Sequence, residues 1–341
     1  MMKVLRLHGV RDLRLHIEPD PVPAPGETLL RVTAVGLCGS DLHWFSDTGI
    51  GDARLTRPLV LGHEFAGVIE SGERRGQRVA ADPAVPCGAC EFCLEGNPNL
   101  CVAMRFAGHG TEDGALREFM AWPTRCLHPL PDSLTDAEGA VLEPLGVAIH
   151  AVDLGHMRPG MTVGVFGCGP IGLLVLQVAR AAGATRLIAT DKLAYRLEAA
   201  RSLGATAVFQ AANGQESAEI LAATNGKGID VAFEAAGENE AVEAAIETVR
   251  AGGRVVLVGI PSDDRTAFTA STARRKGLTI KLSRRMKHVY PRAIRLVESG
   301  MVDVRPLVTH RFPLEKIDQA FSIAERREGL KVIVEPSMHN S

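Results

Sequence analysis

The chain of 341 residues carries 38 Lys and Arg against 40 Asp and Glu, a formal charge of −2. That balance gives no global attraction to nucleic acid or to an anionic membrane. Hydrophobic residues make up 46%, charged residues 23% and aromatic residues only 4%, which fits a soluble globular protein of about two domains and argues against stacking platforms for single-stranded nucleic acid.

The start, MMKVLRLHGVRDLRL, has its charges in the wrong places for a signal peptide and reads as a strand. No apolar stretch approaches the ~20 residues of a membrane span. Up to about residue 148 the chain is rich in Gly and Pro, and LRLHIEP, TLLRVTAVGL, EFAGVIESG and QRVAADP alternate or cluster apolar residues between turn signals. This part is predicted to be an irregular β-rich domain with long loops.

One of those loops, CGACEFCLEGNPNLC, holds Cys87, Cys90, Cys93 and Cys101. Two overlapping C-x-x-C steps and a fourth cysteine eight residues on suit a closed tetrahedral site, for which zinc takes four thiolates. The loop, about residues 86–102, is read as a structural zinc lobe. A disulfide framework fits less well, because the cysteine total of seven is odd. A redox C-x-x-C pair needs neither the third nor the fourth cysteine. Thiols kept for metal fit a reducing cytoplasm.

The pattern then changes. MTVGVFGCGPIGLLVLQVARAAGA reads as strand, glycine turn and long apolar helix, and RLIATD, AYRLEAARSLGA, ATAVFQ and GIDVAFEAAG continue the alternation. Such alternation predicts βαβ units and a parallel, doubly wound sheet over about 149–285. Beyond it, YPRAIRLVESG and LEKIDQAFSIAERRE read as helices, and RPLVTHRFP and KVIVEP as extended. This tail, 286–341, is expected to return to the first domain.

Gly167, Gly169 and Gly172 form G-x-G-x-x-G between the strand TVGVF and its helix, with Pro170 and Ile171 opening the helix. The first glycine permits the tight turn, the second lets backbone approach a pyrophosphate, and the third lets helix and strand pack. The helix N-terminus offers free N–H groups to phosphate. Asp191 ends the next strand, nineteen residues past Gly172. A carboxylate there accepts from both ribose hydroxyls and repels a 2′-phosphate, so NAD is expected over NADP. Arg196 either lies near the adenosine ribose or is a plain solvated helix residue. Cys168 reads as a small apolar filler.

Cys38, His63, Glu64 and Glu143 stand in VGLCGSDLHW, LVLGHEFAG and AVLEPLGVAIH. Each is a zinc-ligand type, and a catalytic zinc keeps three protein ligands and one open position. Singly, each is more ordinary as a core or surface residue. As a set, Cys38 to His43, the GHE at 62–64, the four-cysteine lobe, the EPL at 143–145, the glycine turn and Asp191 resemble the zinc-dependent medium-chain dehydrogenase/reductase family. The resemblance is to its polyol branch, of the sorbitol, xylitol and L-idonate dehydrogenase type.

The resemblance implies an α/β protein: a GroES-like β-rich catalytic domain (1–148 and 286–341) plus a Rossmann NAD-binding domain (149–285). It implies catalytic zinc on Cys38 and His63 with either Glu64 or Glu143, and reversible oxidation of a secondary alcohol of a polyol or sugar acid to a ketone, with hydride passing to NAD. Ser40 and His43 are the implied proton relay. Trp44, Phe106 and Arg285 fall at substrate-contacting positions, Trp44 where a tyrosine is common. It also implies a homo-oligomer, a tetramer.

The basic stretch Lys281–Arg295 is either a solvated face or a sign of an acidic substrate. The runners-up are a zinc-dependent threonine, butanediol or aldose dehydrogenase and, more distantly, a non-catalytic NAD-binding protein.

Overall fold

The computed structural model describes residues 1–212 and 214–337. The chain divides into two compact units. The first comprises Met1–Glu143, Tyr290–Glu298 and Val304–Ser341, and the second Pro144–Val289 and Ser299–Asp303.

The first unit is built on an antiparallel-rich sheet with the strand order Leu127–Pro129, Arg78–Ala81, Glu64–Ile69, Glu27–Gly36, Lys331–Glu335, Val308–Pro313, with Phe119–Pro123 also pairing with Glu27–Gly36. Its long central strand shows, over most of its length, the period-2 burial that one packed face dictates: Leu30, Val32 and Ala34 are fully buried while Leu29, Arg31 and Thr33 are part-exposed. Lys331–Glu335 pairs antiparallel with Glu27–Gly36, so the C-terminal tail completes the sheet that carries the N-terminal strands. Leu30, Leu59, Leu61, Phe65, Trp122 and Phe321 fill its core.

The second unit is a parallel six-stranded sheet in the order Ala207–Gln210, Arg186–Asp191, Thr162–Phe166, Ile229–Glu234, Val249–Leu257, Thr279–Leu282. Numbered along the chain this is 3-2-1-4-5-6, the doubly wound order of dinucleotide-binding folds. Strands covered on both faces read as continuous apolar runs, as TVGVF does.

The compact units divide at Glu143/Pro144 and Val289/Tyr290, a few residues from the expected 148 and 285. A continuous helix, Leu142–Leu154, runs through the first division, and residue patterns do not mark a boundary inside a helix. Ser299–Asp303 also joins the second unit. There the Gln177 side chain donates to the Asp303 carbonyl at 3.0 Å and accepts from the Asp303 N–H at 2.7 Å.

Candidate metal and dinucleotide sites

The strand Glu27–Gly36 delivers the chain to Cys38, which stands immediately before the helix Gly39–Asp47. Asp41, in the first turn of that helix, accepts from the Cys38 N–H at 2.9 Å and from the Gly62 N–H at 3.2 Å. One fully buried carboxylate therefore ties the cysteine segment to the Gly62-His63-Glu64 segment. The donor atoms of Cys38, His63 and Glu64 converge within 4.8 Å of one another. A thiol, an imidazole and a carboxylate so placed fit a zinc with three protein ligands and an exchangeable fourth position.

His63 Nδ1 lies 3.5 Å from Asp41 Oδ1, and Nε2 lies 3.5 Å from Ser40 Oγ. Burial opposes charge on this ring, but the Asp41 carboxylate and the Cys38 sulfur hold it well above its ordinary value. A metal held by His63 would take the place of a ring proton, so its binding would release one. The outer carboxylate then fixes the ring orientation, as metal-bound histidines require.

Glu143 opens the helix Leu142–Leu154 and is buried. It lies outside the converging trio but close enough to feel it: burial pushes its carboxyl up to about 8, Glu64 adds to the rise, and His63 and Lys331 oppose it. Lys331 is a residue that sequence patterns pass over. Its ammonium donates to Glu64 Oε1 at 2.7 Å and to the Leu37 carbonyl at 3.0 Å. It also sits 2.6 Å from Glu64 Oε2, which nonetheless has no partner in hydrogen-bonding geometry. A lone lysine before an apolar strand gives no signal of a partner 267 positions away. Asp41 had a readable signal, an acid three residues after Cys38 at a helix start.

His43 is on the helix Gly39–Asp47, with Nδ1 3.6 Å from Asp47 Oδ2. The Phe106 ring lies 5.4 Å from that of His63. Trp44 is only 1% exposed, and its indole N–H donates to His109 Nδ1 at 3.3 Å. Arg285 belongs to the second unit and has φ +53°, a left-handed backbone that a bulky residue adopts only under constraint.

In the cysteine lobe, four sulfurs lie within 4.8 Å of one another, with Cys90–Cys93 at 3.5 Å and Cys87–Cys93 at 4.0 Å. Four thiolates around a tetrahedral zinc stand about 3.8 Å apart, so the set fits. All seven cysteines of the chain are free thiols. The N–H groups of Ala89 and Cys90 point at Cys87 Sγ at 3.5 and 3.3 Å and hold that thiol down to about 6.

In the second unit, Gly167 has φ +98° and sits where a Cβ would come within 2.8 Å of the Ala236 nitrogen. A Cβ on Gly172 would meet the Gly167 carbonyl oxygen at 1.8 Å, so helix and turn pack only with glycine there. Gly169 is open by contrast: its Cβ would meet only Arg196 Nη1, at 3.6 Å. The helix Pro170–Ala181 starts at Pro170 and Ile171, its first N–H groups free of intrahelical partners. Asp191 accepts from the Cys168 N–H through Oδ2 at 2.7 Å and from the Leu193 N–H through Oδ1 at 2.8 Å. Each carboxylate oxygen keeps a lone pair for a ribose hydroxyl. Arg196 Nη1 is 3.9 Å from Asp191 Oδ2. A glycine turn, an open middle glycine and a strand-end carboxylate fit a dinucleotide.

The alcohol dehydrogenase GroES-like domain family matches residues 24–132, and the zinc-binding dehydrogenase family matches residues 170–299. The chain belongs to the zinc-dependent medium-chain dehydrogenase/reductase family. Within it, the chain is 37% identical to sorbitol dehydrogenase of Bacillus subtilis (98% of each chain covered). It is 40% identical to sorbitol dehydrogenase of Homo sapiens (98% of this chain and 97% of that one). The solved structure of L-idonate 5-dehydrogenase from Escherichia coli superposes with a TM-score of 0.88, at 28% identity and 98% coverage of both chains.

Proposed function

We propose that this protein oxidises a secondary hydroxyl of a polyol or sugar acid to a ketone, with NAD as acceptor and zinc at Cys38, His63 and Glu64. The observation that carries this reading is the convergence of those three donors, in a chain similar along its length to sorbitol dehydrogenases. The first unit is read as the catalytic unit and the second as the NAD-binding unit. Zinc supplies a Lewis acid for the substrate oxygen and NAD supplies a hydride acceptor.

The chain's residues do the rest. Asp41 orients His63. Lys331 balances the buried Glu64 carboxylate, and Glu143 is the second acid beside the trio. Ser40, 3.5 Å from His63 Nε2, takes the proton from the substrate hydroxyl. His43 and Asp47 follow at helical spacings of three and four, and Asp47 is 66% exposed, so the row leads a proton from Ser40 toward solvent. Gly167, Gly169 and Gly172 hold the pyrophosphate at the start of the helix, and Asp191 takes the ribose. Arg285 reads a remote hydroxyl or carboxylate of the substrate.

The cysteine lobe is read as structural zinc, and the thiol usage supports a reducing cytoplasm. The working form is read as a homotetramer, by family likeness. Light scattering on the purified protein tests that last reading, and a monomer contradicts it.

The catalytic assignment is tested with Cys38→Ser. The variant is expected to lose turnover and one of two zinc ions per chain while keeping its affinity for NAD. Turnover near that of the parent protein contradicts the assignment.

A further inference from the structure

We propose that His8 and His16 form a site for a divalent cation of the nickel and copper class on the N-terminal hairpin of the first unit, apart from both zinc sites. The inference does not depend on the polyol reading above.

The site starts from an irregularity in a short sheet. The strands Met2–Gly9 and Asp12–Glu18 pair antiparallel and form a two-stranded sheet. Leu7 faces Leu13 and Gly9 faces Asp12, so one extra residue, His8, stands in the first strand with no opposite number. A bulge of this kind re-aims the side chain it carries. The His8 ring reaches along the hairpin to His16, which sits opposite Val4. The two Nε2 atoms come to 2.9 Å.

These rings hold only each other. Both are half-buried, and among the described residues the one hydrogen bond of either ring is the one they share. A histidine kept for packing usually gives its second nitrogen to a carbonyl or a carboxylate, and neither ring does so. Burial, with the Arg14 cation adding to it, holds the His8 imidazole below its ordinary value, so its lone pair is available.

The spacing matches a metal. Imidazole nitrogens bind such ions at about 2.0–2.1 Å, and two of them at adjacent corners of a square or octahedron stand about 2.9 Å apart. The rings now meet nearly head-on, with centroids 5.1 Å apart and planes 21° apart, because they share a proton. To take a cation, both rings tilt until their lone pairs meet at one point. The shared proton passes through water to the free Nδ1 of the ring that carried it. Both side chains reach solvent, so water fills the remaining coordination positions.

The surrounding charge permits this. The cations that bear on His8 are Arg14 and Arg6. Arg14 is held by Asp12 at 2.8 and 2.7 Å. Arg6 is held by Glu18 at 2.6 and 2.8 Å and by Asp113 at 3.0 Å. Each guanidinium is matched by a carboxylate, so neither repels a bound cation unopposed. A two-stranded hairpin is marginal by itself, and an ion that binds only its folded form stabilises it.

The test dialyses the zinc-loaded protein, purified without a histidine tag, against nickel chloride and counts nickel and zinc per chain. His8→Gln and His16→Gln are treated alike. The parent is expected to take up one nickel per chain and to melt at a higher temperature with it, while its zinc content and turnover stay unchanged. Each variant is expected to lose both the nickel and the melting shift and to turn over as the parent does. In the parent alone, octahedral nickel should broaden the NMR signals of the His8 and His16 rings before those of other histidines. No nickel uptake by the parent overturns the proposal. So does uptake that persists in either variant, nickel gained only as zinc is lost, or broadening that begins at other histidines.

Discussion

Lys331 Nζ stands 2.7 Å from Glu64 Oε1, with the two side chains 4% and 1% exposed. It joins the last strand of the first unit to a metal-donor segment far away in sequence. Burial disfavours the ammonium, and Glu64, with Cys38 and Glu143, together more than offset this. Such a pair contributes little net stability, but removing one partner leaves a buried charge uncompensated, at a cost of about 3–5 kcal/mol. A zinc ion on Glu64 can supply the missing positive charge. Lys331→Met is therefore expected to lose about that much stability without metal and clearly less with zinc bound. Denaturant unfolding of both forms checks this, and equal losses in the two forms contradict the shared role of Lys331 and metal.

Cys93→Ser removes one sulfur from the four-thiol lobe while leaving Cys38, His63 and Glu64 untouched. Structural zinc contributes folding energy directly. The variant is expected to bind one zinc fewer and to unfold at a lower temperature, with kcat per folded molecule close to that of the parent. Unchanged zinc content and melting temperature would contradict a closed four-thiolate site.

Asp191 serves two purposes, holding the glycine turn through the Cys168 N–H and presenting a carboxylate at the strand end. A hydrogen bond to a charged group contributes about 1.5–3 kcal/mol. Asp191→Ser should raise the KM for NAD by roughly 10- to 100-fold on that scale. It should also narrow the preference over NADP, because Arg196 stays in place and attracts the 2′-phosphate. An unchanged ratio of NAD to NADP efficiency would remove Asp191 from the ribose site.

Asp82 gives the pH prediction. Burial raises its carboxyl to about 6, opposed only by the Ala84 N–H at 2.9 Å. A raised folded-state value means the native protein holds a proton that the unfolded chain has lost, so stability falls as pH rises from about 4 to 6. The penalty is full above that window and absent below it. The residue keeps some solvent exposure, which brings the penalty to about 2 kcal/mol. Asp82→Asn should therefore be the more stable protein at pH 7–8, and the advantage should vanish near pH 4. An advantage independent of pH would mean that the gain comes from packing instead.

The alternation of strands and helices, the glycine turn and the four-cysteine loop were legible because each is local. A period, a turn or a spacing lies within a few dozen residues. The trio Cys38, His63 and Glu64 was legible only as a set of residue types, since its convergence depends on the register of Glu27–Gly36 against Glu64–Ile69. Lys331 was not legible at all, because it matters through a cross-strand partner. The burial of the Trp44 indole and its hydrogen bond to His109 were not legible either, because nothing local marks them. Nor was the place of Ser299–Asp303 in the second unit, since it involves the pairing of Gln177 with Asp303 over 126 positions.

The most direct measurement is NADH formation from sorbitol, xylitol and L-idonate by the purified protein, before and after chelation and after zinc is restored. Activity on at least one of these substrates that disappears with the chelator and returns with zinc is the predicted result. Turnover that survives complete removal of zinc, or none on any of the three by a protein holding two zinc ions and binding NAD, would contradict the account.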